Sequence, residues 1–97
     1  MRIFATIRPN QEHVESAKKA VLNILEETRQ EAGCLKFDLY QSADGQTLYL
    51  DEEWTDRGAL EFHHAQPYTA KVFDAYKEWL RVEPELVELR PVTGHTA

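Results

Sequence analysis

Three side chains capable of chemistry lie close together in the second half of the chain: Glu52, Trp54 and His63. Glu52 and Trp54 alternate with Leu48 and Leu50, so the period of two in a strand places all four on one apolar face. A carboxylate on a buried face is unfavourable unless it is paired or functional. His63 follows nine residues after Trp54, on a predicted short helix that would close over the strand end. We therefore expect a carboxylate, an indole N–H and an imidazole to converge on one apolar cavity.

Each of the three residues also has a purely structural interpretation. Glu52 could pair with Arg8 or cap a helix, as charged residues away from solvent commonly do. Trp54 could be an ordinary core aromatic. His63 could be a surface or hinge residue whose polar groups are satisfied locally. The sequence leaves these alternatives open beside the catalytic one.

Other kinds of site have little support. His63 and His64 are adjacent, so on a helix their side chains diverge by about 100° and would chelate one metal ion poorly. The four glycines, at positions 33, 45, 58 and 94, are scattered and form no phosphate-binding loop. Cys34 is the single cysteine, so it forms no internal disulfide and is more typical of a small core residue than of a nucleophile. We predict neither a metal nor a cofactor.

Length and charge narrow the class of protein. The chain has 97 residues, enough for a single domain over residues 1–97, and its formal net charge is −6. An acidic balance is opposite to what nucleic acids and anionic membrane surfaces attract. No apolar run approaches the roughly 20 residues of a membrane-spanning helix, and no secretory leader is evident. These features predict a cytoplasmic protein without nucleic-acid or membrane partners.

Hydrophobic periodicity predicts six main elements with an additional short helix. Alternation indicates strands, and apolar positions recurring at helical spacing from Val14 to Thr28 indicate a long amphipathic helix that ends near Gly33 as a left-handed cap. Asp44 and Gly45 predict a hairpin turn. The predicted order is a strand over 3–8, a helix over 10–33, strands over 34–41 and 46–54, a short helix from 56 to Pro67, a helix over 68–80, a strand over 85–92 and a frayed tail over 93–97.

This order corresponds to an α+β, ferredoxin-like β-α-β-β-α-β fold with an antiparallel sheet. The helices would cover one face of the sheet. The second face still carries apolar residues such as Phe4, and one chain has no element left to cover it. Because large exposed apolar patches are rare on monomers, we expect a homodimer formed through this open face.

Three short segments carry a family resemblance: EAGCLKF over 31–37, YLDEEW over 49–54 and ALEFH over 59–63, followed by Pro67. Together they resemble the antibiotic biosynthesis monooxygenase (ABM) domain over nearly the whole chain. The resemblance implies a dimeric α+β barrel and, in characterised members, quinol or anthrone oxygenation without a cofactor. Relatives degrade haem or act on a phosphorylated signalling sugar. By position, Glu52, Trp54 and His63 match the recurrent family residues, whereas Tyr68 stands where many members have a second histidine.

The resemblance also argues against two of these activities. The Asn-Trp-His set of the haem-degrading branch corresponds here to Ile7, His63 and Phe73, so haem degradation is disfavoured. The anthrone oxygenases have an Asn, an Arg and a Trp in their site. Leu50 and Phe73 stand here in place of the Asn and the Arg, and only the Trp is retained, as Trp54.

The predicted function is therefore cofactor-independent oxygenation of a small aromatic quinol or polyphenol by O₂. His63 would be the base, Trp54 would donate to the developing oxyanion, and Glu52 would orient His63. The predicted substrate-binding residues are Phe37, Leu50, Phe62, Tyr68 and Phe73. The alternatives are a non-catalytic dimer that binds a small molecule, and an isomerase in which Arg8, Lys36 and Arg90 meet a phosphate.

Overall fold

The computed structural model describes residues 1–93, so the predicted tail over 93–97 lies outside the described residues except for Thr93. The chain forms four strands and three helices, with a short 3₁₀ turn at Gln11–His13 before the first helix. The elements are β1 (Arg2–Ile7), α1 (Val14–Arg29), β2 (Cys34–Gln41), β3 (Leu48–Trp54), α2 (Arg57–Ala65), α3 (Pro67–Trp79) and β4 (Glu85–Leu89).

The four strands form one antiparallel sheet in the order β2-β3-β1-β4. This arrangement confirms the predicted ferredoxin-like fold. In the register of the two central strands, Ile3 lies opposite Glu52 and Ala5 opposite Leu50. Because directly paired residues point to the same side of a sheet, Glu52 shares its face with the apolar side chains of β1.

The hydrophobic core lies between this face and the helices. Ile3, Ala5 and Ile7 are buried from the strand side, and Ala17 and Val21 are buried from α1. Burial of each of the larger aliphatic side chains stabilises the folded state by about 1.5–3 kcal/mol. This gain offsets the conformational entropy that the chain loses on folding. The alternation read from the sequence therefore identifies the core face of β1.

Local signals set the helix boundaries as expected. Asp56 caps α2, since its Oδ1 accepts a hydrogen bond from the backbone N–H of Ala59 at 2.8 Å. Gln66 is extended, and Pro67 begins α3 at a position where a helix needs no backbone N–H donor. The break at Pro67 separates α2, which packs on β3, from α3, which packs on α1 and α2.

Two strand details differ from the predictions. Strict alternation along β2 would place Leu35 on the same face as Phe37, but the pairing of β2 with β3 shifts between Cys34 and Lys36, which marks a β-bulge. The bulge leaves Leu35 60% exposed, because an extra residue in one strand interrupts the alternation of sides. The strands β3 and β4 are also shorter than predicted, beginning at Leu48 and ending at Leu89.

Gly33 has a different role from the one predicted. The helix α1 ends earlier, at Arg29, and among the described residues only Gly45, in the β2–β3 turn, has a positive φ. A Cβ atom on Gly33 would lie 2.3 Å from the Cβ of Ala59 and 2.9 Å from Oγ1 of Thr55. Gly33 is therefore required for the close approach of the segment after α1 to helix α2.

We expect Gly33→Ala to destabilise the protein by about 1–3 kcal/mol, because the added methyl group must displace the backbone of α2 or of its own segment. Gly58→Ala is the matched control, since its Cβ would meet its nearest neighbour, Oδ1 of Asp56, at 3.4 Å. Urea unfolding of the two variants at one protein concentration measures the difference. Equal stabilities would contradict the close-approach explanation.

The opposite face of the sheet has no covering element in the described chain. Phe4 and Tyr49 stack on it with ring centroids 5.7 Å apart, and Val87 and Leu89 are 44% and 42% exposed. Asp51 lies among them, buried and paired with Arg2 at 2.9 Å and with Lys36 at 3.0 Å. We call this surface the open face.

No helix within residues 1–93 is both long enough and apolar enough to cross a membrane.

Candidate functional site

A small cavity lies between the covered face of the sheet and the three helices. Its volume is about 40 Å³, which is room for a few water molecules. Strand β1, helices α1 and α3, and the start of β4 supply aliphatic and aromatic walls. The carboxyl and imidazole groups on its wall belong to Glu52, His63 and His64. The structure thus places an acid and imidazoles in an otherwise apolar hollow.

Glu52 is the buried acid of this cavity. It is 3% exposed, and its Oε1 accepts a hydrogen bond from Nε1 of Trp54 at 3.0 Å. Burial raises the pKa of Glu52 to about 7; the bond from Trp54 opposes this rise and the charge of Asp51 adds to it. Near neutral pH the carboxyl group therefore exists in both protonation states, as proton transfer requires.

His63 is held by a second buried acid, Glu31. The Nδ1 atom of His63 lies 2.9 Å from Oε2 of Glu31, and the two side chains are only 4% and 6% exposed. The hydroxyl group of Tyr68 donates to the same carboxylate oxygen. Oγ1 of Thr69 lies farther from Nδ1, at 3.4 Å. Imidazole, carboxylate and phenol therefore form one buried hydrogen-bonded group.

The predicted convergence of Glu52, Trp54 and His63 is present in the structure. The imidazole of His63 and the indole of Trp54 have ring centroids 4.8 Å apart, and the ring of Phe37 meets His63 edge-on at 5.4 Å. Trp54 is fully buried, and its indole N–H binds Glu52. The three side chains thus meet at the end of β3, beneath α2.

The hydrogen bonds differ from the predicted ones in two respects. Glu52 was expected to orient His63, but its recorded partner is Trp54, and the acid at His63 is Glu31. Trp54 was expected to donate to an oxyanion, but its single N–H is already used by Glu52. Glu31 was not predicted as a site residue, although it opens the first segment that carries the family resemblance.

Three of the five predicted substrate-binding residues, Phe37, Leu50 and Phe73, line the cavity. Tyr68 instead contacts Glu31. Phe62 is 57% exposed and lies on a separate surface groove, because neighbouring helical residues point about 100° apart and His63 occupies the inward direction.

Two further residues of the cavity wall, His64 and Thr69, were not predicted as site residues from the sequence. The ring of His64 meets the ring of Phe73 edge-on at 5.6 Å, and burial together with the neighbouring His63 lowers the pKa of His64. Near neutral pH, His64 therefore adds no positive charge to the cavity wall.

Metal and phosphate chemistry gain no support from the arrangement. Across residues 1–93, no cluster of three or more His, Cys, Asp or Glu side chains comes together to hold a metal ion. The three basic residues considered for a phosphate are each close to a carboxylate. Arg8 lies 3.9 Å from Glu85, Lys36 lies 3.0 Å from Asp51, and Arg90 lies 3.5 Å from Glu88.

Comparison with known proteins gives both sequence and structural relatives. The chain is 44% identical over 54 residues to "Putative monooxygenase Rv0793" of Mycobacterium tuberculosis, a match that spans 55% of this chain and 54% of that protein. This sequence match therefore covers only about half the length of the curated relative. The solved structure of Rv0793 superimposes with a TM-score of 0.88 at 27% identity, covering 98% of this chain and 97% of that one.

Two further structures have the same fold. A conserved protein from Methanosarcina mazei Go1 matches with a TM-score of 0.82 at 29% identity, over 89% of this chain and 86% of that one. PA3566 from Pseudomonas aeruginosa matches with a TM-score of 0.86 at 27% identity, over 95% and 93%. The family model described as antibiotic biosynthesis monooxygenase matches residues 1–82. The chain therefore belongs to the antibiotic biosynthesis monooxygenase family.

Proposed function

We propose that this protein is a cofactor-independent monooxygenase that oxidises a small aromatic quinol with O₂. The observation that carries the proposal is the presence of Glu52 and His63 on the wall of one apolar cavity. Two titratable groups in a hollow of low polarity can take a proton from a substrate and return one to an intermediate. The family and its relative named as a monooxygenase support the same reaction class.

The reaction begins when His63 takes the proton of a quinol hydroxyl group. The resulting quinolate passes one electron to O₂, and the semiquinone and superoxide combine to form a carbon–oxygen bond. Glu52, in its protonated form, gives a proton to the peroxide anion. The resulting hydroperoxide loses water, because its O–O bond breaks as the hydrogen leaves the oxygenated carbon. The proton held by His63 returns to Glu52 through solvent, which restores both groups. One oxygen atom of O₂ enters the hydroxyquinone, the other leaves as water, and the quinol supplies the four electrons required.

Trp54 supports this chemistry from behind the cavity wall. Its N–H donates to Glu52, so it fixes the direction of the carboxyl group instead of contacting the oxyanion. Tyr68 acts in the same way on Glu31. We therefore assign substrate contact to Phe37, Leu50 and Phe73, and positioning to Trp54 and Tyr68.

A quinol ring needs more space than a cavity of about 40 Å³ offers. A neighbouring groove of about 510 Å³ between α3 and β4 shares Phe73, Tyr76, Pro84 and Leu86 with the cavity wall. We infer that the ring enters from this groove and displaces the side chains of Phe73 and Leu86. The apolar lining of the cavity disfavours water beside the anion before O₂ reacts.

Association through the open face is part of the proposal. Phe4, Tyr49, Val87 and Leu89 give this face an apolar surface that one chain leaves uncovered. Proteins of the family are commonly dimeric, and a second copy would bury these side chains.

Oxygen consumption tests the proposed reaction. Addition of substituted hydroquinones under ¹⁸O₂ is expected to give protein-dependent uptake and a hydroxyquinone with one labelled oxygen atom. The reaction should persist after treatment with a metal chelator. Saturable quinol binding without any oxygen uptake would overturn the proposal and favour the non-catalytic binding dimer.

A further inference from the structure

We propose that Glu31 is the positioning residue for His63: it holds His63 as the tautomer protonated on Nδ1, so that Nε2 is the basic atom. The kinetic part of this proposal rests on the proposed function. The structural part concerns the free protein and stands on the geometry of two buried side chains.

The hydrogen bonds at Glu31 define which nitrogen carries the proton. Oε2 of Glu31 faces Nδ1 of His63 at 2.9 Å and also accepts from the hydroxyl group of Tyr68. An ionised carboxylate accepts hydrogen bonds and donates none, so Nδ1 must supply the proton in its contact. The neutral imidazole has one N–H group, and its other nitrogen, Nε2, is left with a lone pair.

The competing interpretation is that Thr69 donates its hydroxyl proton to Nδ1. Its Oγ1 lies 3.4 Å from Nδ1, whereas the carboxylate oxygen lies 2.9 Å away. The shorter contact is also charge-assisted, and such bonds are about twice as strong as neutral ones. The carboxylate therefore decides the tautomer.

The backbone holds Glu31 in place independently of His63. The N–H of Glu31 donates to the carbonyl of Thr28, and the carbonyl of Glu31 accepts from Cys34. Two residues farther along, Gly33 packs against Ala59 of α2, the helix that carries His63. The close approach at Gly33 thus brings the carboxylate and the imidazole together.

The buried carboxylate also matters once His63 accepts a proton. An imidazolium in a hollow of low polarity is unfavourable unless a negative charge lies beside it. Glu31 supplies that charge at hydrogen-bonding distance, on the side of the ring away from Nε2. Both hydrogen bonds to the carboxylate, from His63 and from Tyr68, are made to the same oxygen, Oε2.

Nitrogen-15 NMR of the imidazole groups tests the proposal without any substrate. In the wild-type protein above neutral pH, His63 should be protonated on Nδ1. In Glu31→Gln, which removes the charge at nearly constant shape, at least about half of the population should move to the form protonated on Nε2. Glu61→Gln is the matched control, because Glu61 is exposed on the same helix as His63.

A shorter carboxylate provides the rescue. Glu31→Asp keeps the charge and should restore a majority of the Nδ1-protonated form. Protonation of wild-type His63 on Nε2, or an unchanged tautomer in Glu31→Gln, would overturn the proposal. The wild-type measurement alone decides the matter if the glutamine variant does not fold.

The rate gives a second readout. If the wild-type protein oxidises quinols, Glu31→Gln should lower kcat at least about tenfold with a smaller change in KM, since Glu31 is not on the cavity wall. Absence of oxidation by the wild type would end the proposed function but leave the tautomer result standing. A normal tautomer with normal oxidation in Glu31→Gln would end the positioning role alone.

Discussion

His63→Ala is expected to lower the rate of quinol oxygenation by about 10²- to 10⁴-fold, the usual contribution of a general base. His63 lines the cavity and is backed by Glu31, so its removal leaves the substrate hydroxyl without a base of suitable strength. Glu52 remains, but in the proposed mechanism it must be protonated to act on the peroxide. The initial rate of oxygen uptake with a saturating hydroquinone measures the effect.

A buried histidine can also affect folding, so the comparison needs two controls. His63→Gln retains a polar side chain of similar reach and should be as inactive as the alanine variant while preserving more of the packing. His13→Ala removes a histidine that stacks on Trp79, at the other end of the sheet, and should leave the rate unchanged. Wild-type activity in both His63 variants would remove the proposed role.

Glu52→Gln is expected to change the free energy of unfolding differently at two pH values. The change at about pH 8 should be more favourable to the folded state than the change at about pH 4, by about 3 kcal/mol. The pKa of Glu52 is about 7 in the folded chain against 4.5 as its ordinary value. Between these values the folded chain keeps a proton that the unfolded chain has released. The contribution of Glu52 to the free energy of unfolding of the wild type therefore falls as the pH rises from 4.5 to about 7, and then levels off.

Glutamine removes this pH dependence because it does not titrate, while its amide oxygen can still accept the hydrogen bond from Trp54. Urea unfolding at both pH values, at one protein concentration, gives the double difference. Glu53→Gln is the control: Glu53 is the next residue of the same strand and points to the other face. If the free energies of unfolding of the wild type and of Glu52→Gln changed with pH in parallel, the carboxyl group would not be buried as described.

The same variant should also slow oxygenation, because its amide group has no acidic proton to give to the peroxide.

Local patterns in the sequence were enough to predict much of the fold. Alternation identified the face of β3 that carries Glu52 and Trp54, and Pro67 marked the junction of α2 and α3. The start of the short helix was placed at Asp56, which caps α2 in the structure. In each case the signal lies within a few residues of the feature that it specifies. It can therefore be read from the sequence without knowledge of the tertiary structure.

The features that were missed depend on residues distant in the chain. The bulge at Leu35 follows from the register between two strands, and the need for glycine at position 33 follows from a contact with Ala59. Glu31 and His63 are 32 residues apart, and their pairing exists only after α2 has packed against the segment that follows α1. The predicted cluster was therefore correct in its members at the end of β3, while its hydrogen bonds required the tertiary structure.

Asp51 and Glu52 are consecutive residues on opposite sides of one strand, and the charge of the first contributes to the raised pKa of the second. Arg2 and Lys36 balance Asp51 on the open face, within reach of whatever surface covers it. If solvent is excluded from the open face, the charges of Asp51, Arg2 and Lys36 act more strongly on the carboxyl group of Glu52. Thermodynamic reciprocity then requires the converse: if a second copy covers the open face, as proposed, the proton on Glu52 alters the affinity of that association. Dimerisation and the acid–base state of the cavity would then form one coupled equilibrium.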